Sequence, residues 1–229
     1  LALFRTTWDY FDQFPAFKDW LDKVKEECLL INSYNQISWN LDKHYLNDLK
    51  NKGVPIPESI FIKKGTGKSL KEIIKKSWNE IVIKPTISGA ARNTFRLKNS
   101  ELNSFDKKWK GLIQNEDFII QEFQNNILEK GEVALMLFGG EYTHSVIKKA
   151  KLGDFRVQDD FGGSVESYQP SIEMIDLAKQ TISKINPIPA YARVDIIWDN
   201  SDQLVVSELE LIEPELWFRF NESSADKLA

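Results

Sequence analysis

Apolar positions change their period along this chain, and each change marks an element. Aromatic and leucine positions between Trp8 and Cys28 recur at helical spacing after Pro15, which predicts a helix there. "NLDKHYLNDLKNKGVPIP" reads as a second helix, with Asp42 as N-cap, Gly53 just past the C-terminus and Pro55 as the stop. "ESIFIKK" is strand-like, and "KSLKEIIKKSW" has the pattern of an amphipathic helix. "EIVIKP" reads as a buried strand ended by Pro85, "NTFRL" as another short strand, Ser100 to Lys110 as a helix, and "DFIIQEF" as a buried strand. From Gly131 strands dominate: "EVALMLFGGEYTHSVIKKA" predicts a hairpin turning at Gly139–Gly140. The helix "SIEMIDLAKQTISKI" follows, and then a last hairpin, "ARVDIIWDNSDQLVVSELELIEPEL". Helices mixed with antiparallel hairpins predict an α+β fold rather than a doubly wound parallel sheet. A boundary near residues 124–131 would separate two α+β lobes, and a hinge between lobes is a common ligand site.

The last hairpin carries acids where β propensity disfavours them. Side chains alternate faces along a strand, so Arg193 and Asp195 share one face, as do Glu208 and Glu210. If Asp199 pairs with Leu204, Asp195 falls opposite Glu208 and Arg193 opposite Glu210, which leaves Val194, Ile196, Leu209 and Leu211 for a core. Carboxylates directly opposite each other repel, so a cation belongs between them. Mg²⁺ fits, because it takes oxygen ligands and shares them with water and phosphates. A solvated outer face, partly neutralised by Arg193, fits the same residues. The stretch alone leaves both readings open.

Composition narrows the classes. The 229 residues are 42% hydrophobic with a net charge of −4, enough for one large domain or two to three small ones. Acids and bases are interspersed, so neither a nucleic-acid nor a membrane surface is expected. The lone Cys28 excludes an internal disulfide and fits a reducing cytoplasm. His44 and His144 lie far apart with no cysteine beside either, which gives no zinc-ligand pattern. No apolar run approaches the ~20 residues of a membrane span. The chain opens on "LALFR", which reads as the tail of a strand whose domain began earlier.

Three further stretches bear on chemistry. "GTGKS" at Gly65–Ser69 ends like a phosphate-binding loop, but Ile62 stands where that motif needs its first glycine, so it reads as a loop before a helix. Lys84 sits in "IVIKP", where an ammonium is costly without a negative partner; a strand-end lysine reaching for water is the alternative. "TISGAARN" follows it, with small residues that suit a backbone loop over phosphate oxygens as well as an ordinary turn. "FIIQEF" then breaks into "QNN" at the lobe junction, with Glu132 opening the next strand.

Taken in order, "IVIKPTISGAARNTFRL", "FIIQEF", "GEVALMLFGGEYTHSVIKKA", "FRVQDDFGGS" and "ARVDII…VVSELELIEP" resemble the ATP-grasp superfamily. They are similar to the ATP-binding region of prokaryotic glutathione synthetase. Through "RTTWDYFDQF" and "ELELIEPELWF" they are also similar to the cyclo-ligase of cycloserine biosynthesis. The resemblance spans Arg5 to Phe220. It implies two lobes with a nucleotide cleft between them: a central lobe over 54–128, a C-terminal lobe over 129–229, and in residues 1–53 a remnant of an N-terminal substrate domain. It implies a ligase that uses ATP and Mg²⁺, two ions or Mn²⁺ in their place, to join a carboxylate to an amine or similar nucleophile through an acyl-phosphate. Its partners would be small molecules, with an oligomer open. Lys43 and Lys84 would contact phosphate, Ser88, Gly89, Ala90 and the following residues to Arg92 would form the phosphate loop, and Gln121, Glu122 and Phe123 would hold adenine. Glu132 would take the ribose, Arg156 and Arg193 would face substrate or transferred phosphate, and Asp195, Glu208 and Glu210 would hold metal. Arg5, Trp8, Asp9 and Tyr10, with the loop around "FRVQDDFGGS", are candidates for substrate contact. Two departures matter: only Gly89 stands between Pro85 and Phe95, where the family's loop is richer in glycine, and Glu210 stands where it often has asparagine. The glycine-poor loop keeps a second reading open, an ATP-binding module with little or no turnover.

Overall fold

The computed structural model describes residues 1–151, 153, 154, 156 and 162–228. Two antiparallel sheets organise the chain. The first has four strands: β3 (Ser59–Ile62), β4 (Glu80–Pro85), β5 (Phe95–Lys98) and β6 (Phe118–Glu122), in the order β3-β6-β4-β5. The second has five: β7 (Glu132–Phe138), β8 (Glu141–Lys149), β9 (Ser164–Ser167), β10 (Tyr191–Trp198) and β11 (Leu204–Glu210), in the order β11-β10-β7-β8-β9. Ahead of both lie a short parallel pair, β1 (Ala2–Leu3) with β2 (Leu30–Ile31), and three helices: α1 (Phe14–Glu27), α2 (Tyr34–Asn40) and α3 (Tyr45–Asn51). The expected α+β class is what the structure shows. No helix among the described residues is long and apolar enough to cross a membrane.

Each sheet buries one face under helices. The four-stranded sheet packs Ile81, Ile83, Phe118 and Ile120 against Trp109 and Ile113 at the end of α5 (Leu102–Leu112). The five-stranded sheet packs Val133, Leu135, Val194 and Leu209 against Leu177 and Ala178 of α7 (Ile172–Ser183). Leu46 and Leu49 of α3 enter that same core.

The edge of β11 is covered from the N-terminal side, which answers the hazard of an open strand edge. Asn40 donates to the Leu209 carbonyl at 2.9 Å and accepts from the Leu211 N–H at 2.8 Å. The Leu209 N–H reaches the Tyr45 hydroxyl at 3.1 Å, and the Val206 N–H reaches the Pro55 carbonyl at 2.9 Å. Four contacts from residues 40–55 therefore fix the strand that carries Glu208 and Glu210.

Some expectations needed correction. The helix expected to start near Asp42 has His44 at its N-cap. Asp42 Oδ1 instead accepts from the His44 N–H at 3.0 Å and stabilises the turn before it, while Gly53 takes the positive φ of +85° expected past the helix end. The helix expected over "KSLKEIIKKSW" stops after one turn, α4 (Leu70–Ile73), because Ile74 is extended and the chain runs on to bury Trp78. Residues 124–131, expected as a boundary, include a short helix, α6 (Asn126–Lys130).

Candidate active site

Two β-bulges decide which side chains reach the cleft between the sheets. Near its loop the last hairpin pairs Trp198 with Leu204 and Ile196 with Val206, one position away from the register expected there. An extra residue, Ser207, then shifts the pairing, so that Asp195 partners Glu208 and Arg193 partners Glu210. The expected charged pairs are therefore present, but the Asp199–Leu204 pairing that led to them is not: the Asp199 N–H bonds Gln203 instead. A bulge breaks strand parity, which is why Val206 and Leu209 both face the core while Glu208 and Glu210 face the cleft. The first hairpin does the same. It pairs Leu137 with Tyr142 near the turn, then shifts so that Glu132 partners Lys148.

The result is a buried network of charge. Asp195 is 1% exposed and Arg193 8%. Arg193 donates to both Asp195 oxygens at 2.9 Å and also reaches Glu210. Lys148, 5% exposed, lies 2.8 Å from Asp195 and 2.5 Å from Glu132. Glu132 also accepts from the Ser207 hydroxyl at 2.8 Å. Lys43 reaches Glu208 at 3.0 Å and the Ser88 carbonyl at 2.9 Å. Burial alone would raise Glu208, but Lys43 and Lys84 outweigh it and bring its carboxyl down to about 2. Glu210 goes the other way: burial, with Glu208 and Asp195 beside it, lifts it to about 7 despite Arg193. Burial would lower Lys148, yet Asp195 and Glu132 hold its ammonium above the ordinary lysine value.

Asp195, Glu208 and Glu210 each offer an oxygen, and these lie within 4.8 Å of one another. Three convergent carboxylate oxygens are a hard donor set that suits Mg²⁺ or Mn²⁺. The residues present therefore fit the metal that the sequence implied.

The opposite wall comes from the four-stranded sheet. The Lys84 ammonium, on β4, has no hydrogen bond or ion pair among the described residues. Burial pulls its ammonium below the ordinary lysine value, partly offset by Glu208. Beyond Pro85 the loop turns over the cleft with left-handed backbone at Ala90 (φ 45°), Ala91 (φ 54°) and Asn93 (φ 50°), none of them glycine. The Ser88 hydroxyl ties to the Arg92 carbonyl at 2.9 Å, and Arg92 anchors the loop on Glu116 at 2.6 and 3.1 Å. At the end of β6 the Phe123 N–H donates to the Glu80 carbonyl and its own carbonyl accepts from Asn200. The Gln121 side chain donates to the Ser59 hydroxyl.

Most of the candidate residues named from the sequence meet along one cavity of about 560 Å³; Arg5, Asp9 and Arg92 do not line it. Lys84, Ser88, Gly89 and Ala90 line it from one wall, Gln121, Glu122 and Phe123 from the end of β6, and Lys43 from the turn before α3. Glu132, Arg156, Arg193, Asp195, Glu208 and Glu210 line it from the other wall. Trp8 and Tyr10 line it too. Arg156 is paired with Asp154; most of the surrounding "FRVQDDFGGS" lies outside the described residues.

Sequence reasoning missed Lys148, Glu213 and Trp217, which also line the cavity. Counting from the Gly139–Gly140 turn puts Ile147, not Lys148, opposite Glu132, so only the bulge reveals the pair. Glu213 and Trp217 lie past the last strand, where no periodicity applies, although "IEPELW" places an acid before a proline and an aromatic.

Comparisons with known proteins bear on the fold. Residues 1–32 match the family model described as the N-terminal domain of D-cycloserine synthetase DcsG. The chain is 26% identical over 244 residues to the cycloserine biosynthesis protein DcsG of Streptomyces lavendulae, covering all of this chain and 80% of that protein. Its structure resembles the crystal structure of D-cycloserine synthetase DcsG with a TM-score of 0.88 at 23% identity, over 99% of this chain and 80% of that one. It resembles the ATP-grasp ligase PsnB, complexed with its minimal precursor, with a TM-score of 0.64 at 18% identity, over 87% of this chain and 63% of that one.

Proposed function

We propose, on the premise that the chain belongs to the ATP-grasp superfamily, that it is an ATP- and Mg²⁺-dependent ligase joining a carboxylate to an amine or similar nucleophile. The observation that carries this reading is the convergence of a three-carboxylate cluster, unpaired Lys84 and a small-residue loop on one interlobe cavity. In the first step a substrate carboxylate oxygen attacks the γ-phosphorus, the bond to the bridging oxygen breaks, and ADP leaves. In the second the nucleophile attacks the acyl-phosphate carbon, phosphate leaves, and the nucleophile gives up a proton.

Lys43 and Lys84 supply fixed positive charge to the phosphate oxygens, with backbone N–H groups of Ser88, Gly89 and Ala90 closing over them. Gln121, Glu122 and Phe123 form the wall for adenine, and Glu132 the acid for ribose. Asp195, Glu208 and Glu210 would hold two Mg²⁺ ions, or Mn²⁺ in their place. A bound pair supplies charge neutralisation where negative charge builds on the transferred phosphoryl group. Arg193 holds Asp195 and Glu210 in place and, with Arg156, adds charge on the substrate side. With both reactants fixed, positioning replaces a dedicated general base.

The likeness to D-cycloserine synthetase supports a ring closure within one substrate. The test is phosphate release from MgATP across a panel of amino acids and small peptides, with mass analysis of the product. Release that depends on Mg²⁺ and one carboxylic acid is expected, with loss of water from a single substrate if the reaction closes a ring. The left-handed backbone at Ala90, Ala91 and Asn93 favours a second reading, an ATP-binding module with little or no turnover. A melting shift with MgADP but no phosphate release under any mixture would select it.

A further inference from the structure

Beyond the acid cluster, the cavity runs under an N-terminal segment lying along residues 213–219. The Trp8 indole donates to the Glu213 carbonyl at 2.9 Å, and Arg5 reaches the Pro214 carbonyl at 3.5 Å. Tyr10 is half-buried, and desolvation followed by the charges of Glu213 and Glu210 pushes its hydroxyl well above the ordinary tyrosine value.

Glu213 lines the cavity here, and its Oε2 is buried with no hydrogen-bond partner. The cations nearby are committed elsewhere. Lys43 pairs with Glu208, Arg193 with Asp195 and Glu210, and Arg219 lies 3.7 Å from Glu215, while Arg5 stacks over Phe218. A buried carboxylate oxygen without a donor costs free energy that a bound donor would recover. Trp217 is the second such residue. It lines the same cavity, and its indole N–H is buried and unpartnered. An acceptor waiting for a donor and a donor waiting for an acceptor thus stand four residues apart on one segment.

We infer that Glu213 selects the substrate by a positively charged nitrogen, so that the carboxylic acid this enzyme takes also carries an amine, with the Trp217 indole N–H bonding one of its oxygens. The inference rests on the ligase reading of the cavity but concerns its substrate end alone. Burial and the neighbouring Glu210 push the Glu213 carboxyl up, a shift that an ammonium beside it would oppose.

The test is calorimetric titration of the MgADP-bound protein with D- and L-alanine and with D- and L-lactate. Each pair differs only in ammonium against hydroxyl. One enantiomer of alanine should bind about tenfold or more tighter than the matching lactate. Glu213→Gln should abolish that preference while leaving lactate and MgADP binding within about twofold. Trp217→Phe should weaken alanine and lactate alike, since both bring an oxygen acceptor. Equal binding of alanine and lactate, no binding of either alanine, or an undiminished preference in Glu213→Gln would each overturn the assignment. Failure of the ligase reading shows separately, as absent MgADP binding or absent phosphate release.

Discussion

Two lysines facing one cavity should respond oppositely to the same substitution. Lys148 bonds Glu132 and Asp195 at 2.5 and 2.8 Å and is nearly inaccessible. Replacing it by Met removes one charge from a buried ionic network and leaves two acids undercompensated. Breaking such a pair costs roughly 3–5 kcal/mol; the low end, about 3, applies because Arg193 still holds Asp195 and Ser207 still donates to Glu132. Lys84 has no partner, and burial disfavours its charged form. Lys84→Met keeps the apolar stem, which fits among the β4 neighbours, and removes an ammonium whose burial cost exceeds its attraction to Glu208. That should stabilise by about 1 kcal/mol, the usual gain where a functional group is held against stability.

For a chain of this size each kcal/mol moves Tm by about 2–4 °C. Calorimetry without nucleotide should therefore show Lys148→Met melting about 9 °C lower and Lys84→Met about 3 °C higher. With MgADP at about 100 times Kd the wild-type protein gains about 2.7 kcal/mol, close to 8 °C. Lys84→Met should lose most of that shift. If Lys84→Met melts lower without nucleotide, or keeps the full MgADP shift, then Lys84 is a structural lysine and the division of cavity charge argued above is wrong.

Asp195→Asn keeps the shape of the carboxylate but removes the charge it shares with Arg193 and Lys148 and brings to the three-carboxylate cluster; on the proposed function, phosphate release should fall at least about 100-fold, and Mg²⁺ should no longer strengthen ADP binding in fluorescence titration. Ala91→Gly relieves a left-handed alanine worth about 1 kcal/mol, offset in part by glycine's freedom when unfolded, so Tm should rise by about 2 °C; a drop would mean the loop needs its methyl contacts. His144 gives a pH dependence. Burial lowers it, and hydrogen bonds to the Leu216 and Trp217 backbone only partly restore it. Its folded pKa lies below the unfolded value of about 6.5, so its contribution is complete above that pH and lost as pH falls through the folded pKa. Urea unfolding should show stability dropping on acidification below about pH 6.5, with a shallower drop in His144→Gln.

Elements with a long clean period were legible in the sequence. Both hairpins, α5, α7 and the strands β3, β4 and β6 follow from alternation or helical spacing. What escaped has physical reasons. β2 has two residues, too few for a period to show, and β9 (Ser164–Ser167) has Val165 as its one apolar residue, so it shows no alternation. α4 breaks off because tertiary burial wins over local propensity: Trp78 is fully buried with its indole bonded to Glu58 at 3.0 Å, and Lys75 pairs with the same acid. The bulges at Thr143 and Ser207 are single insertions that leave residue types unchanged, so counting from a turn misplaces every partner beyond them. The expected Asp195–Glu208 pair emerged because an assumed loop register, off by one, cancelled a bulge of one.

The hairpin residues alone allowed a metal site or a solvated outer face, and the burial of Arg193 and Asp195 counts against the second. Arg193 does neutralise part of the acidic charge, as the solvated reading required, but at 8% exposure, with Asp195 at 1%, the face is interior. Charges are taken out of water at high cost unless the pairing is close and the remaining lone pairs are satisfied. Here Arg193 and Lys148 do that for Asp195, and Lys43 does it for Glu208. The fixed cations thus hold the carboxylates converged before any ligand arrives, which spares the reorganisation that catalysis would otherwise require at the moment charge develops. Glu210 is the member left least compensated, lifted to about 7 while Glu208 beside it is brought down. That asymmetry makes the cluster short of positive charge on the side facing the cavity, where a divalent ion bound with nucleotide would supply it.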